Sequence, residues 1–302
     1  MKGITKFIQY GLAISFFTLM LITSTFAMQI QLAYAQVNIN NNTNSNNSQN
    51  NILITNILAK NLENRIQKAG AILEITSKLP QVRDVPYANL LNQTLNTLHG
   101  IPQQADIEKR KLVKNILSDN NDLYEIFLLM PNGDMYFLEP YSIQQTLAVN
   151  NYAFRDYFQG AIKTNDTYLG NVHTTAAASG VRTAKIAVPV YSLKDNSTII
   201  GVWAGSIDFG ILNKELQSLT SLDDNARVVY VDSNGQKAAD SDVNKSTTPE
   251  SFAKLNSFKT AISGQSSSII DTVDNNTKML VTYQPVKIFH NTWVVVLMQP
   301  QK

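Results

Sequence analysis

Cysteine is absent from this 302-residue chain. That excludes disulfides, thiolate metal sites, a cysteine nucleophile and a lipidated N-terminal cysteine together. Histidine is scarce, and His99, His173 and His290 stand far apart. Charged residues make up only 16% of the chain, against about 25% in an average soluble domain; Asn, Ser and Thr fill the polar positions instead. Lys and Arg number 25 against 23 Asp and Glu, a formal net charge of +2. A nucleic-acid binder normally shows a strong basic excess, so this balance argues against nucleic acid as a partner. Domains typically run about 100–200 residues, so the length fits one large domain or two modest ones, either able to bury a core without staples.

The one long apolar run lies at the start. Lys2 and Lys6 precede GLAISFFTLMLITSTFAM, and Ala33-Tyr34-Ala35 follows as a small-x-small cleavage pattern. Two readings of residues 1–35 stay open: a cleaved secretory signal or an uncleaved N-terminal anchor. The run Gly11–Met28 is 18 residues, close to the roughly 20 that span a bilayer. Either reading puts the rest of the chain outside the membrane, because the basic end stays cytoplasmic. The chain is thus expected to be extracellular or at the cell surface, secreted or held by that segment, which is its only link to a membrane. Residues 36–51, with VNINNNTNSNNSQNN, read as an Asn-rich flexible linker. Asn-x-Ser/Thr sequons occur at Asn41, Asn46, Asn92, Asn165, Asn196, Asn244 and Asn275, a pattern that Asn-rich sequences also produce by chance.

From Ile52 to Leu79 the apolar residues Leu58, Leu62, Ile66, Ala69, Ile72, Leu73 and Ile75 recur at three- and four-residue steps, predicting a long amphipathic helix that Pro80 stops. Shorter stripes predict helices over Tyr87–Leu98 and Asp106–Leu117. Beyond Asn121 the pattern turns to strands. Tyr124–Met130 and Asp134–Leu138 flank Pro131-Asn132-Gly133, a tight-turn signal. The figure returns at Arg227–Val231, Asp232-Ser233-Asn234-Gly235 and Gln236–Ala239, with Gly133 and Gly235 102 positions apart. Lys185–Tyr191 followed by Ile199–Ile207 is likewise repeated as Met279–Val286 and Trp293–Met298. Four strands in the same order, twice, predict a duplicated antiparallel-sheet module. The second copy is shorter, with one helix-like stretch over Pro249–Ile262.

Catalytic constellations are missing. His173 and Ser179 lack any nucleophile-elbow context. Asp232-x-Asn234-x-Gln236 resembles the start of a calcium loop but lacks the Gly and Glu that complete one. No glycine-rich phosphate cradle is present, and Asp223-Asp224 reads as a solvated linker. Neither an enzyme, nor a metal site, nor a cofactor is expected.

The order of features resembles the double Cache (dCache) extracellular sensor domain of chemoreceptors and sensor histidine kinases. A long helix and a hairpin are followed by Phe154-Arg155-Asp156-Tyr157-Phe158-Gln159-Gly160-Ala161, Tyr168, Pro189-Val190 and Gly201-Val202-Trp203-Ala204-Gly205-Ser206-Ile207-Asp208. The likeness runs from about Ile52 to Pro300. It implies an α+β fold in which a long N-terminal helix carries two PAS-like antiparallel-sheet modules in tandem: a membrane-distal ligand-binding module with the helix at 52–220, and a smaller membrane-proximal module at 221–302. It also implies a ligand pocket at Arg155, Tyr157, Tyr168 and Asp208, with Arg182, Thr174 and Thr175 as further lining. Arg can grip a carboxylate in a bidentate fork, Asp can take an ammonium group, and aromatic rings wall off water. The amino-acid-binding subfamily carries Tyr five residues before the Arg and Trp-Tyr two and three after it. Here those places hold Asn150, Tyr157 and Phe158, which leaves other carboxylates, amines or no ligand open.

Structural roles compete for each residue. Arg155 could serve an ion pair, Asp208 could cap the helix that begins near Gly210, and Tyr157 and Phe158 could be core. The expected function is small-molecule sensing without an output domain of the chain's own. A small carboxylate or amine-containing metabolite is the expected ligand, with signalling through a separate membrane partner. The rival is a surface structural or protein-interaction module that keeps the fold without a ligand.

Overall fold

The computed structural model describes residues 44–177, 180–220, 226–273 and 277–300. The signal or anchor segment, Ser179, Asp223-Asp224 and Asn275 lie outside the described residues.

Helix α1 runs Asn44–Ser77 and therefore takes in residues 44–51, which composition assigns to a flexible linker. The reason is tertiary contact. Asn51 is buried and donates from Nδ2 to Gln299 Oε1 at 2.7 Å, and Thr55 Oγ1 donates back to the Asn51 carbonyl at 2.9 Å. Contact with the end of the chain's last strand holds helical a stretch whose own propensity is poor. A 3₁₀ turn at Ala88–Leu90 leads into α2 (Leu91–Leu98), and α3 (Ile107–Asp119) follows.

Next come β1 (Leu123–Leu129), β2 (Met135–Glu139), the single-turn α4 (Tyr141–Gln144) and α5 (Asp156–Thr164). The two-residue strands β3 (Tyr168–Leu169), β4 (His173–Thr174) and β5 (Arg182–Thr183) precede β6 (Lys185–Tyr191) and β7 (Ile199–Ile207). After α6 (Phe209–Thr220) the second copy comprises β8 (Arg227–Val231), β9 (Lys237–Asp240), α7 (Asn256–Ile262), β10 (Ser267–Val273), β11 (Thr277–Ile288) and β12 (Asn291–Pro300).

Two five-stranded antiparallel sheets result, ordered β2-β1-β7-β6-β3 and β9-β8-β12-β11-β10. The two orders are the same permutation, so the repeat in the sequence is a repeat in topology. Local geometry repeats too. Tyr152 N donates to Gly133 O at 2.8 Å and Phe252 N to Gly235 O at 2.7 Å, while Arg155 N meets Tyr152 O and Leu255 N meets Phe252 O, both at 3.0 Å. Arg155 and Leu255 occupy the same N-cap position of α5 and α7, with extended backbone in each case.

Helix α1 covers one face of both sheets. Leu58, Leu62, Ile66, Ala69 and Leu73 are each at most 2% exposed, within the core that also holds Trp203 of the first sheet and Trp293 of the second. Near its C-terminal end Thr76 Oγ1 accepts from Trp203 Nε1 at 3.1 Å. In the same part of the helix, a Cβ on Gly70 would lie 2.2 Å from the Phe289 ring, so glycine lets the β11–β12 turn close against the helix. Among the described residues no helix is long and apolar enough to cross a membrane.

The paired turn glycines offer a direct check on the repeat. Gly133 and Gly235 have φ of +88° and +79°, and a Cβ at either would come within 2.7 Å of the backbone of Ala153 or Ala253. Gly133→Ala and Gly235→Ala are each expected to cost more than about 1 kcal/mol. The reading is a lower urea midpoint at unchanged slope.

Candidate functional site

The second face of the first sheet packs on α5 and the 146–177 loops, with Phe127, Leu129, Met135, Leu147, Tyr157 and Ala177 in one cluster. Inside this layer lies a narrow cavity with room for about one water molecule. Its apolar walls are Phe127, Met135, Leu138, Leu147, Ala176 and Ala177; its polar lining is Glu125, Tyr152, Arg155, Tyr157, His173, Thr175 and Lys185.

Four of those side chains bring a buried polar atom without a hydrogen-bond partner: Arg155 Nε, Tyr157 Oη, His173 Nε2 and Thr175 Oγ1. A buried unpartnered polar group costs about 1–3 kcal/mol, so four on one cavity call for a polar guest. Arg155 is presented by the extended residue just before α5. Its Nη2 lies 3.5 Å from the Thr174 carbonyl and its guanidinium carbon 4.9 Å from the Phe154 ring centroid. Among the described residues no carboxylate pairs with it. Tyr157 is fully buried, and burial pushes its phenol well above the usual 10, so it stays a neutral hydroxyl.

Across the cavity the strand register sets a charged row. Lys185 and Glu125 both stand opposite Ser206 of β7. Lys185 Nζ meets Glu125 Oε1 at 2.6 Å, Ser206 Oγ donates to the same oxygen at 2.5 Å, and Lys185 also bonds Ser206. Burial pulls the Lys185 ammonium down, while the Glu125 charge holds it up. His173 stacks on Tyr157, with ring centroids 5.8 Å apart. Its Nδ1 lies 3.0 Å from the Asn171 carbonyl. Since a carbonyl only accepts, Nδ1 carries the proton and Nε2 presents its lone pair to the cavity.

Arg155, Tyr157 and Thr175 of the sequence-derived set therefore come together here, whereas Tyr168, Asp208 and Arg182 stand outside the lining. Tyr168 lies against the second module, stacked on His290 at 6.3 Å, beside the His290–Asp166 contact of 3.0 Å. Asp208 Oδ1 accepts from Gly210 N at 2.8 Å, capping α6. Arg182 is half-buried near Asp232 of the second module. Glu125, Tyr152, His173 and Lys185 had no motif to single them out. The available signal was that Glu125 and Lys185 are lone charges at the start of apolar strands. Among the described residues no group of three acidic or histidine side chains could hold a metal ion.

The segment beside the cavity is tied to the second sheet. Asn171 gives its backbone N and Nδ2 to Asp156 Oδ2 at 2.7 and 3.0 Å, and its side-chain oxygen accepts from Ser233. Val172 N donates to Asp232 Oδ2 at 2.7 Å.

The family model described as Cache domain matches residues 36–302. The chain belongs to the Cache domain family. Three solved structures share its fold at low identity. The extracellular ligand binding receptor from Desulfohalobium retbaense DSM5692 is 11% identical at a TM-score of 0.56; the match covers 81% of this chain and only 40% of that one. The periplasmic sensory domain of the Campylobacter jejuni chemoreceptor Tlp1 is 14% identical at a TM-score of 0.58, over 86% and 97% of the two chains. The ligand binding domain of the Pseudomonas aeruginosa PAO1 amino acid chemoreceptor PctC, in complex with GABA, is 17% identical at a TM-score of 0.55, over 81% and 96%. No curated protein matches. The α+β fold, with two antiparallel sheets on one long helix, is that of the Cache sensor domains.

His173 provides a pH test of the Cache cavity. Burial, and then the charges of Lys185 and Arg155, pull its pKa down to about 4, with the Asn171 carbonyl opposing them. In the unfolded chain the value is about 6.5, so the unfolded state takes up the proton first as pH falls. The stability due to neutral His173 is complete above about pH 6.5 and is lost progressively towards pH 4. The expected result is a melting temperature that falls between pH 7 and 4.5 more steeply in the parent chain than in His173→Gln.

Proposed function

We propose that this Cache domain is an extracellular sensor module that binds a small carboxylate or amine-containing metabolite in the cavity of its first module. The observation that carries the reading is that four residues with an unpartnered buried polar atom line one narrow space that also has an apolar wall. Arg155 supplies the anion-gripping fork, Tyr157 and Thr175 supply hydroxyls, and the apolar wall excludes water. The related amino acid chemoreceptor domain with bound GABA supports a small charged ligand as the class. On this reading residues 52–220 bind, residues 221–302 relay, and a membrane partner receives the signal outside the cytoplasm. Tyr168 and Arg182 then belong to the joint between modules, and Asp208 to the α6 cap.

One observation favours a second reading, a structural module without a ligand: the cavity as it stands has room for only about one water. A thermal-shift screen with amino acids, short carboxylates and polyamines separates the two. A ligand at a hundred times its dissociation constant adds about 2.7 kcal/mol and raises the melting temperature by several degrees. The expected result is at least one such rise, lost in Arg155→Met at an unchanged apo melting temperature. No rise across the panel would favour the structural module.

A further inference from the structure

We infer that the ligand is a short monocarboxylate carrying no ammonium group. The inference rests on the cavity being the binding site. Its first support is the charge count: Arg155 and Lys185 face the space against one carboxylate, Glu125. Lys185 and Ser206 both bond Glu125 Oε1, so that pair is neutral, and Arg155 is left as the uncompensated charge. Arg155 is half-buried and has no acidic partner among the described residues, and a monoanion supplies one.

An ammonium group finds no such complement. The other nearby carboxylates are engaged elsewhere: Asp156 takes Tyr157 N, Asn171 N and Asn171 Nδ2, and Asp208 takes Gly210 N. A second cation placed beside Glu125 would share its one charge with Lys185 and face Arg155. A zwitterion therefore brings one favourable end and one repelled end.

The hydrogen-bonding pattern narrows the class further. Arg155 Nε donates only, and the Tyr157 and Thr175 hydroxyls can donate, which suits the two oxygens of a carboxylate. His173 Nε2 offers a lone pair, which suits a neutral hydroxyl donor. Phe127, Met135 and Leu147 offer apolar contact for a methyl group. Short 2-hydroxy acids answer each of these features, and their small size requires the least widening of the cavity.

L-Lactate and L-alanine make a matched pair, because they differ only in hydroxyl for ammonium. Titration calorimetry of the purified full chain with each, and with propionate, is the test. Lactate is expected to bind at least ten-fold more tightly than alanine. Propionate should bind, Arg155→Met should lose ten-fold or more for lactate, and Asp208→Ala should retain lactate binding. Alanine binding as tightly as lactate, with the same loss in Arg155→Met, would overturn the inference while leaving the site in place. Loss of lactate binding in Asp208→Ala would overturn it as well. No binding by any of the three would overturn the inference and the site together.

Discussion

The structure depends on one shared surface, the apolar stripe of α1. Each antiparallel sheet has two faces to cover, and a single 34-residue helix supplies the cover for one face of both. Along the helix, Asn51 and Gly70 meet Gln299 and the turn residue Phe289 of the second sheet, and Leu73 and Thr76 then meet Gly205 and Trp203 of the first. The second face of each sheet is left for local elements: α5 and its loops in the first copy, α7 in the second. The second faces are the ones on which the two copies differ.

The two copies show that divergence. Arg155 and Leu255 share a backbone position, yet one brings an unpaired guanidinium and the other an apolar side chain packed with Phe252 and Phe258. Tyr157 is matched by Ser257 in the same way. At the place of Glu125, β8 carries Arg227, which pairs with Asp240 and Glu250 in a network that also holds Lys237. At these positions the second copy pairs Arg227 and Lys237 with Asp240 and Glu250, whereas Arg155 has no acidic partner among the described residues.

Much of the fold was legible because its signals are local. The Asn-Gly turns, the period of α1 and the runs KIAVPVY and IIGVWAGSI depend on neighbours in sequence, and their elements appear within a few residues of expectation. The short strands β3, β4 and β5 were not legible, since two-residue strands exist only through the pairing that tertiary structure imposes. The start of α1 was not legible for the same reason, as Asn51 is held by Gln299, 248 residues away. The site was half legible. Arg155, Tyr157 and Thr175 stand in or near a motif, but the Lys185–Ser206–Glu125 row is set by the cross-strand register of three strands. Asp208 carried two meanings in sequence, ligand and cap; its bond to Gly210 N is that of a cap.

Asn171 has a consequence for how the two halves of the molecule can move. One residue holds the start of α5, where Arg155 sits, carries the carbonyl that orients His173, and meets the turn of the second sheet through Ser233. Its neighbour Val172 is fastened to Asp232 of that turn. The imidazole, the start of α5 and the β8–β9 turn therefore share one short hydrogen-bonded segment, so a displacement of the imidazole bears on the bonds to Ser233 and Asp232.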